Sequence, residues 1–321
     1  MKDTGAISFS GRFLLSCAGL FACLELAPAA FYDGLNRINA AAAACLLQAL
    51  GYQPTLHQTV LTLNGFSARI IGECSAVFIF ALFAAFILAY PSRPAEKAAG
   101  ILIGIPMLSA LNVLRLVVVI GTGAYKTDLF PHVHIYFGQI LMVFFVLLIS
   151  IYWLKGIRAI SSPEIHHWTF FRFALISAFL FAAWLFLKKP YALLATSMVR
   201  WTFFLLGGSS IPISAAAGSA DTFITFNIVC FLALALSVNP NQVNRKTRRI
   251  LTGITILFFS YYLFKGIQTM AGMTGTGWGS ILSINMMLIL QEWVLPFTLW
   301  FVLFRPDVLS ASFRLKPAGA A

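Results

Sequence analysis

Long apolar segments alternate with short polar segments along most of the chain. Because a helix needs about 20 mostly apolar residues to cross the hydrocarbon core of a bilayer, each long segment predicts a transmembrane helix. We expect an all-α polytopic membrane protein with short extracytoplasmic insertions. The pattern predicts about eight spans, at 11–28, 74–90, 99–121, 133–155, 168–187, 222–239, 249–266 and 284–304.

Two segments between the first and second spans have other patterns. In 31–50, apolar residues recur at helical spacing beside charged residues, which is typical of an amphipathic helix at the membrane interface. In 51–73, apolar and polar residues alternate on both sides of Asn64-Gly65, a dipeptide that favours a β-hairpin turn. An open hairpin leaves backbone groups unpaired, so we expect it in water or at the interface and not in lipid.

The composition supports the membrane interpretation, since 60% of the residues are hydrophobic and only 10% are charged. The net charge of +12 predicts orientation and not a nucleic-acid partner, because basic residues concentrate in the cytoplasmic loops of membrane proteins. With the amino terminus inside, about 14 Lys and Arg residues lie on the inner side and about seven on the outer side. Both termini are therefore expected in the cytoplasm and the hairpin outside.

The chain has weak internal similarity. The segment GRFLLSCAGLF near residue 11 resembles FRFALISAFLF near residue 171. We therefore divide the chain into 1–160, a catalytic membrane core, and 161–321, a second membrane region that is a candidate degenerate repeat. No His follows His167, so we expect the chemistry in the first region.

The cysteine pattern predicts no metal centre and no cofactor. The chain has no CxxC pair and no cysteine with a His at metal-ligand spacing, so it indicates neither a zinc site nor a disulfide framework. The five cysteines are Cys17, Cys23, Cys45, Cys74 and Cys230.

Three residues from different spans are predicted to meet near the outer membrane face. Cys74 begins the second span and is expected to be partly accessible to water. A helix amino terminus and a nearby cation would stabilise its thiolate there. Arg115 lies within the third span, about one and a half turns from its outer end. An ionisable residue is costly there and is therefore a functional candidate. His134 opens the fourth span and can act as general base and then general acid. Such a set suffices for thiol acyl transfer.

Arg115 also has a structural interpretation. Its long side chain can extend to the outer headgroups, or it can pair with a carboxylate such as Glu73. Asn112 lies one helical turn before Arg115 on the same face and is expected to form a hydrogen bond beside it. Both interpretations of Arg115 therefore stay open.

The segment PHVHIYFGQ contains two candidate imidazoles, His132 and His134, and the sequence does not choose between them. His134 is nearer the span. Gly138 follows it by one turn, where the missing side chain would let a neighbouring helix or the substrate approach. We expect this segment to supply the acid/base group.

The order of these motifs resembles the exosortase/archaeosortase family of membrane transpeptidases, over roughly residues 10–155. Family members carry a Cys-Ser pair usually followed by Gly, then an N-x-x-R helix, then an H-x-x-x-G motif. The matching residues are Cys74-Ser75, Asn112 to Arg115, and His134 to Gly138. The chain departs from the pattern at Ala76, where Gly is common, and this change is expected to affect how closely the substrate backbone approaches.

The resemblance implies a thiol enzyme that cleaves the carboxy-terminal tripartite sorting signal of secreted proteins. That signal consists of a short motif such as Pro-Glu-Pro, one transmembrane helix and a basic tail. Cys74 would form the acyl-enzyme, His134 would be the acid/base, and Arg115 would stabilise the thiolate or the oxyanion. The acyl group would pass to water or to a surface amine, with an envelope polysaccharide or lipid as a candidate acceptor.

The family resemblance also implies a location, a multi-pass protein of a bacterial or archaeal cytoplasmic membrane with its active site facing outward. The motifs have no counterpart in 168–321, which would scaffold the first half or dock the substrate helix.

Two other functions stay open. One is a two-half transporter in which Arg115 and Glu292 line the path, and the other is an inactive assembly factor for envelope polysaccharide. The different charged residues of the two halves argue against the first, and the intact Cys/Arg/His set argues against the second.

Overall fold

A computed structural model describes residues 3–136, 141–157, 167–206, 227–237, 245–274 and 294–312. The chain is mostly helical and divides into two compact units. The amino-terminal unit comprises residues 7–159, and the carboxy-terminal unit comprises residues 160–321 together with 1–6.

The amino-terminal unit combines helices with one small sheet. Its helices are α1 (Asp3–Glu25), α2 (Ala29–Ala49), α3 (Val77–Ala89), α4 (Pro94–Tyr125), α5 (Phe130–Tyr136) and α6 (Met142–Ile157). Its strands are β1 (Thr55–His57), β2 (Val60–Leu63) and β3 (Phe66–Arg69), and two 3-10 turns lie at Gly72–Ser75 and Thr127–Leu129.

The amphipathic segment predicted at 31–50 forms α2, which bends away from α1 by 95°. Its apolar stripe lies on the exposed side, with Phe31 and Ile38 pointing away from the rest of the unit. The opposite side is buried against α4 and the 72–75 turn. Its buried residues are small or polar except for one leucine, namely Asn36, Asn39, Ala40, Ala43, Ala44 and Leu47. Small alanines let the helix approach its neighbours closely.

The sheet is antiparallel in the order β1-β2-β3. Asn64 and Gly65 join β2 to β3 and have φ of 48° and 80°, the left-handed values that a two-residue type I′ turn requires. Leu61 and Leu63 of β2 point into the core and are buried. The sheet has one strand more than the hairpin expected from the sequence, because β1 pairs with the other side of β2.

α4 is the longest helix of this unit, at 32 residues or about 48 Å. It begins at Pro94, a residue suited to the first helical position, and the backbone N–H of Arg93 donates to the Glu96 carboxylate at 2.8 Å. Gly104 lies directly against the ring of Phe83 on α3, so the missing side chain brings these two helices into contact.

Several helices are apolar enough to cross a bilayer. Among the described residues, three helices are also long enough by themselves, namely Pro94–Tyr125, Phe171–Leu205 and Lys246–Met270. The bent pair α1–α2 passes the same test when its two helices are taken together. Shorter apolar helices occupy the other predicted spans. The chain is therefore a multi-pass membrane protein, and the number of about eight crossings stays a prediction.

The carboxy-terminal unit contains α7 (His167–Leu205), α8 (Asn227–Ser237), α9 (Lys246–Thr274) and α10 (Leu295–Ser312). α7 packs on α8 and α9, and α10 packs on the same two helices. Tyr261 and Phe264 of α9 are buried against Ala195 of α7 and form the centre of this packing.

Candidate active site

Cys74 lies in the 3-10 turn Gly72–Ser75, which joins the sheet to α3. Its backbone N–H donates to the carbonyl of Ile71 at 2.8 Å. The hydroxyl of Ser75 donates to the carbonyl of Gly72 at 2.6 Å and is fully buried. These bonds define the backbone of the segment, which we call the nucleophile turn.

The thiol of Cys74 is buried, with 7% of the residue exposed. The sequence predicted partial access to water, and that prediction is wrong because α2 and α4 close over the nucleophile turn. The apolar cluster around Cys74 includes Ala40, Ala43, Ala44 and Leu47 of α2, Leu61, Leu63 and Ile70 of the sheet region, and Leu116, Val117 and Ile120 of α4. Charges interact more strongly in such surroundings than in water.

Ala76 separates the nucleophile turn from α3. Its φ of 58° and ψ of 16° are left-handed, and α3 begins only at Val77. Cys74 therefore precedes α3 and does not lie in its first turn, so the predicted stabilisation by the amino terminus of that helix has no structural basis. The position at which the family commonly has Gly is one whose backbone conformation favours Gly.

Asn112 of α4 connects three parts of the site and is fully buried. Its Nδ2 group donates to the carbonyl of Cys74 at 2.9 Å and to Oδ1 of Asn39 on α2 at 3.0 Å. Its Oδ1 accepts a hydrogen bond from Nη1 of Arg115 at 3.0 Å. The hydrogen bond expected between Asn112 and Arg115 is therefore present.

Arg115 is buried, with 5% of the residue exposed, so it does not extend to the headgroups as one interpretation proposed. α4 continues ten residues beyond it to Tyr125, about 15 Å, and not the turn and a half expected from the sequence. Its guanidinium interacts electrostatically with the Cys74 thiol and with the His134 imidazole. Its Nε group has no hydrogen-bond partner among the described residues.

His134 lies on α5 and is half-buried. Its ring stacks on Phe130, with centroids 5.5 Å apart and an interplanar angle of 18°. Phe130 in turn contacts Phe66 of β3, with centroids 4.9 Å apart, so the sheet supports the position of the imidazole. His132 is exposed on the same helix. The geometry therefore favours His134 over His132.

Two of the predicted supporting groups lie outside the described residues. They are the side chain of Glu73 and the whole of Gly138. Within the part of the chain that is described, no three His, Cys, Asp or Glu side chains form a group that could hold a metal ion. We call the predicted thiol, guanidinium and imidazole (Cys74, Arg115 and His134) the catalytic set.

Asn39 is the residue of this site that sequence reasoning missed. It is buried and contacts Asn112, a residue 73 positions away. The sequence feature that could have indicated this residue is the pair Asn36 and Asn39, two amides one turn apart in a helix otherwise rich in alanine. An amide pair on one face of an apolar helix indicates a polar contact with another element.

Part of the chain is similar to a known protein family. Residues 8–152 match a family model described as transmembrane exosortase. No curated protein matches the chain, and no solved structure does. The matched region contains Asn39, Asn112 and all three members of the catalytic set.

Proposed function

Because residues 8–152 match the transmembrane exosortase family model, we propose that this chain is a membrane-embedded cysteine transpeptidase. Its substrates are secreted proteins with a carboxy-terminal tripartite sorting signal, cleaved at the outer face of a bacterial or archaeal cytoplasmic membrane. One observation carries the proposal. The buried Arg115 donates to Asn112, which also bonds to the carbonyl of Cys74. The guanidinium also interacts electrostatically with the His134 imidazole, so a cation lies beside a nucleophile and a base.

The first half-reaction forms an acyl-enzyme. His134 takes the proton of the Cys74 thiol, and the sulfur attacks the carbonyl carbon of the scissile peptide bond. The electron pair of the carbonyl moves to its oxygen, where Arg115 stabilises the negative charge. The C–N bond then breaks, and His134 returns the proton to the leaving amine. The carboxy-terminal helix and basic tail of the substrate depart, and a thioester remains on Cys74.

The second half-reaction releases the sorted protein. An acceptor amine on an envelope polysaccharide or lipid gives a proton to His134 and attacks the thioester carbonyl. The C–S bond breaks and Cys74 recovers its proton from His134. Water can replace the amine, in which case the product is a free carboxylate.

The burial of the site supports transfer over hydrolysis. The thiol is enclosed by α2, α4 and the sheet, so a thioester formed there is largely shielded from bulk water. Excluding water from a site suppresses the hydrolysis of reactive intermediates. The same enclosure strengthens the electrostatic interactions of Arg115 with its two neighbours.

The test is processing of a co-expressed secreted reporter that ends in a tripartite tail from the same genome. Wild type is compared with Cys74→Ala at equal membrane levels, and with Cys45→Ala, which changes an exposed cysteine of α2 outside the site. We expect wild type and Cys45→Ala to process the reporter and Cys74→Ala to leave it intact. Processing by Cys74→Ala at the wild-type rate would exclude a thiol enzyme. No processing by wild type would favour the inactive assembly factor or the transporter.

A further inference from the structure

The buried side of α2 carries an amide that the catalytic set does not contact directly. The Nδ2 group of Asn39 donates to the carbonyl of Leu35, one turn earlier in the same helix, at 2.9 Å. This bond orients the amide plane, so that Oδ1 of Asn39 points to Asn112 and accepts its hydrogen bond. Asn39 is thus a fixed acceptor presented by α2 to α4.

The orientation of Asn112 depends on that acceptor. Nδ2 of Asn112 has two hydrogens, and the structure gives them two acceptors, Oδ1 of Asn39 and the carbonyl of Cys74. Because the amide is planar, these two bonds direct its Oδ1 to the guanidinium of Arg115. Without Asn39, one N–H of a fully buried amide loses its partner, and it can regain one only by turning away from Cys74 or Arg115.

We propose that Asn39 is a positioning residue of the active site, which acts through Asn112 to hold the nucleophile turn and the guanidinium of Arg115 together. The proposal rests on the function proposed above. Asn112 bonds to the backbone of Cys74 and to the side chain of Arg115, so one amide sets the position of both. Asn39 determines how that amide is turned.

The first test measures reporter cleavage by purified full-length enzyme carrying Asn39→Leu or Asn39→Asp. Leucine has a similar size and removes both polar ends, whereas aspartate keeps an oxygen that accepts from Asn112. We expect Asn39→Leu to lower kcat by about 10- to 100-fold, the scale of a small displacement of catalytic groups, with KM changed less than about threefold. Asn39→Asp should recover part of kcat, because it keeps the acceptor for Asn112 and loses only the donor to the Leu35 carbonyl. A kcat for Asn39→Leu within about twofold of wild type would overturn the proposal, as would equal losses for the two variants.

A double variant tests whether Asn39 acts through Asn112. If it does, adding Asn39→Leu to Asn112→Leu should lower kcat no further, because the relay is already broken. Multiplicative losses would mean that the two residues act independently and would overturn the proposed route.

Asn36→Leu is the matched control, since Asn36 is buried one turn away on the same helix and its Oδ1 has no partner in the described part of the chain. A loss for Asn36→Leu equal to that of Asn39→Leu would also contradict the proposal.

A second readout does not depend on any substrate. Iodoacetamide alkylation of Cys74 is followed by peptide-resolved mass spectrometry, with the exposed Cys23 and Cys45 as internal references. Asn39→Leu should change the Cys74 rate by about threefold or more and leave the references unchanged, because only the nucleophile turn is altered. If wild type cleaves no reporter while the Cys74 rate responds, the proposed function fails and the positioning role stands. If wild type cleaves and neither kcat nor the Cys74 rate responds, the positioning role fails alone.

Discussion

Ala76 ends the nucleophile turn with its backbone in the left-handed region, and this conformation predicts an unusual effect of Ala76→Gly. In that region a residue with a side chain destabilises the folded state by roughly 1–2 kcal/mol, whereas glycine does not. Glycine lowers the free energy of unfolding by about 0.5–1 kcal/mol, because it has more conformational freedom in the unfolded chain. Removing a buried methyl group costs about 0.8 kcal/mol more. These contributions nearly cancel, so the free energy of unfolding should change by less than about 1 kcal/mol.

Ala85→Gly is the matched control, because it removes an equally buried methyl group from the middle of α3. Glycine costs about 1 kcal/mol in a helix interior, and the lost methyl adds about 0.8 kcal/mol. The control should therefore destabilise the protein by about 2 kcal/mol, although the two substitutions are chemically identical. The comparison isolates the backbone conformation at Ala76.

The assay is thermal unfolding of the two variants in the same detergent, followed by tryptophan fluorescence. Ala76→Gly should unfold within about 2 °C of wild type or above it, and Ala85→Gly should unfold several degrees lower. Reporter processing by Ala76→Gly should be retained, since glycine adopts the same backbone conformation without strain. Equal losses of stability in the two variants would refute the left-handed conformation of Ala76.

Three further predictions concern the guanidinium, the carboxy-terminal unit and helix packing. Arg115→Lys should lower reporter cleavage by about 100-fold or more, because lysine keeps the charge and loses the planar donor groups, and unchanged cleavage would remove that role. Cys230→Ala should leave cleavage unchanged, since Cys230 is buried in α8 outside the matched region, and a large loss in a folded variant would place chemistry there. Gly104→Ala should lower thermal stability by about 1–3 kcal/mol, because the added methyl group would clash with Phe83. Gly121→Ala is the control and should be neutral or stabilising, since its methyl group would meet nothing within 4 Å. A greater loss of stability for Gly121→Ala than for Gly104→Ala would contradict the α3–α4 packing.

Many of the helices were predictable from the sequence because they follow from long apolar segments, and the described helices overlap the predicted spans. The end of α4 was less predictable. The predicted span ended at residue 121, where Gly and Thr lower the hydropathy, yet the helix continues to Tyr125. The hydroxyl of Thr122 donates to the carbonyl of Val118 at 2.8 Å, so the helix can continue through this polar residue.

The catalytic set was predicted from residue types and their order, whereas its surroundings were not predictable in this way. Asn112 and Arg115 are three residues apart in one helix, so local geometry was sufficient to predict their contact. The burial of Cys74 depends on how α2 packs over the nucleophile turn, and the role of Asn39 depends on the same packing. Such contacts join residues far apart in the chain, and no local periodicity encodes them.

Detection of the acyl-enzyme would test directly whether Cys74 is the nucleophile. The reporter is incubated with purified enzyme without an acceptor amine, and the quenched mixture is analysed by intact and peptide mass spectrometry. We expect a thioester between the amino-terminal reporter fragment and Cys74, which hydroxylamine releases and which Cys74→Ala does not form. Reporter cleavage with no adduct on Cys74, or with the adduct on another residue, would contradict it.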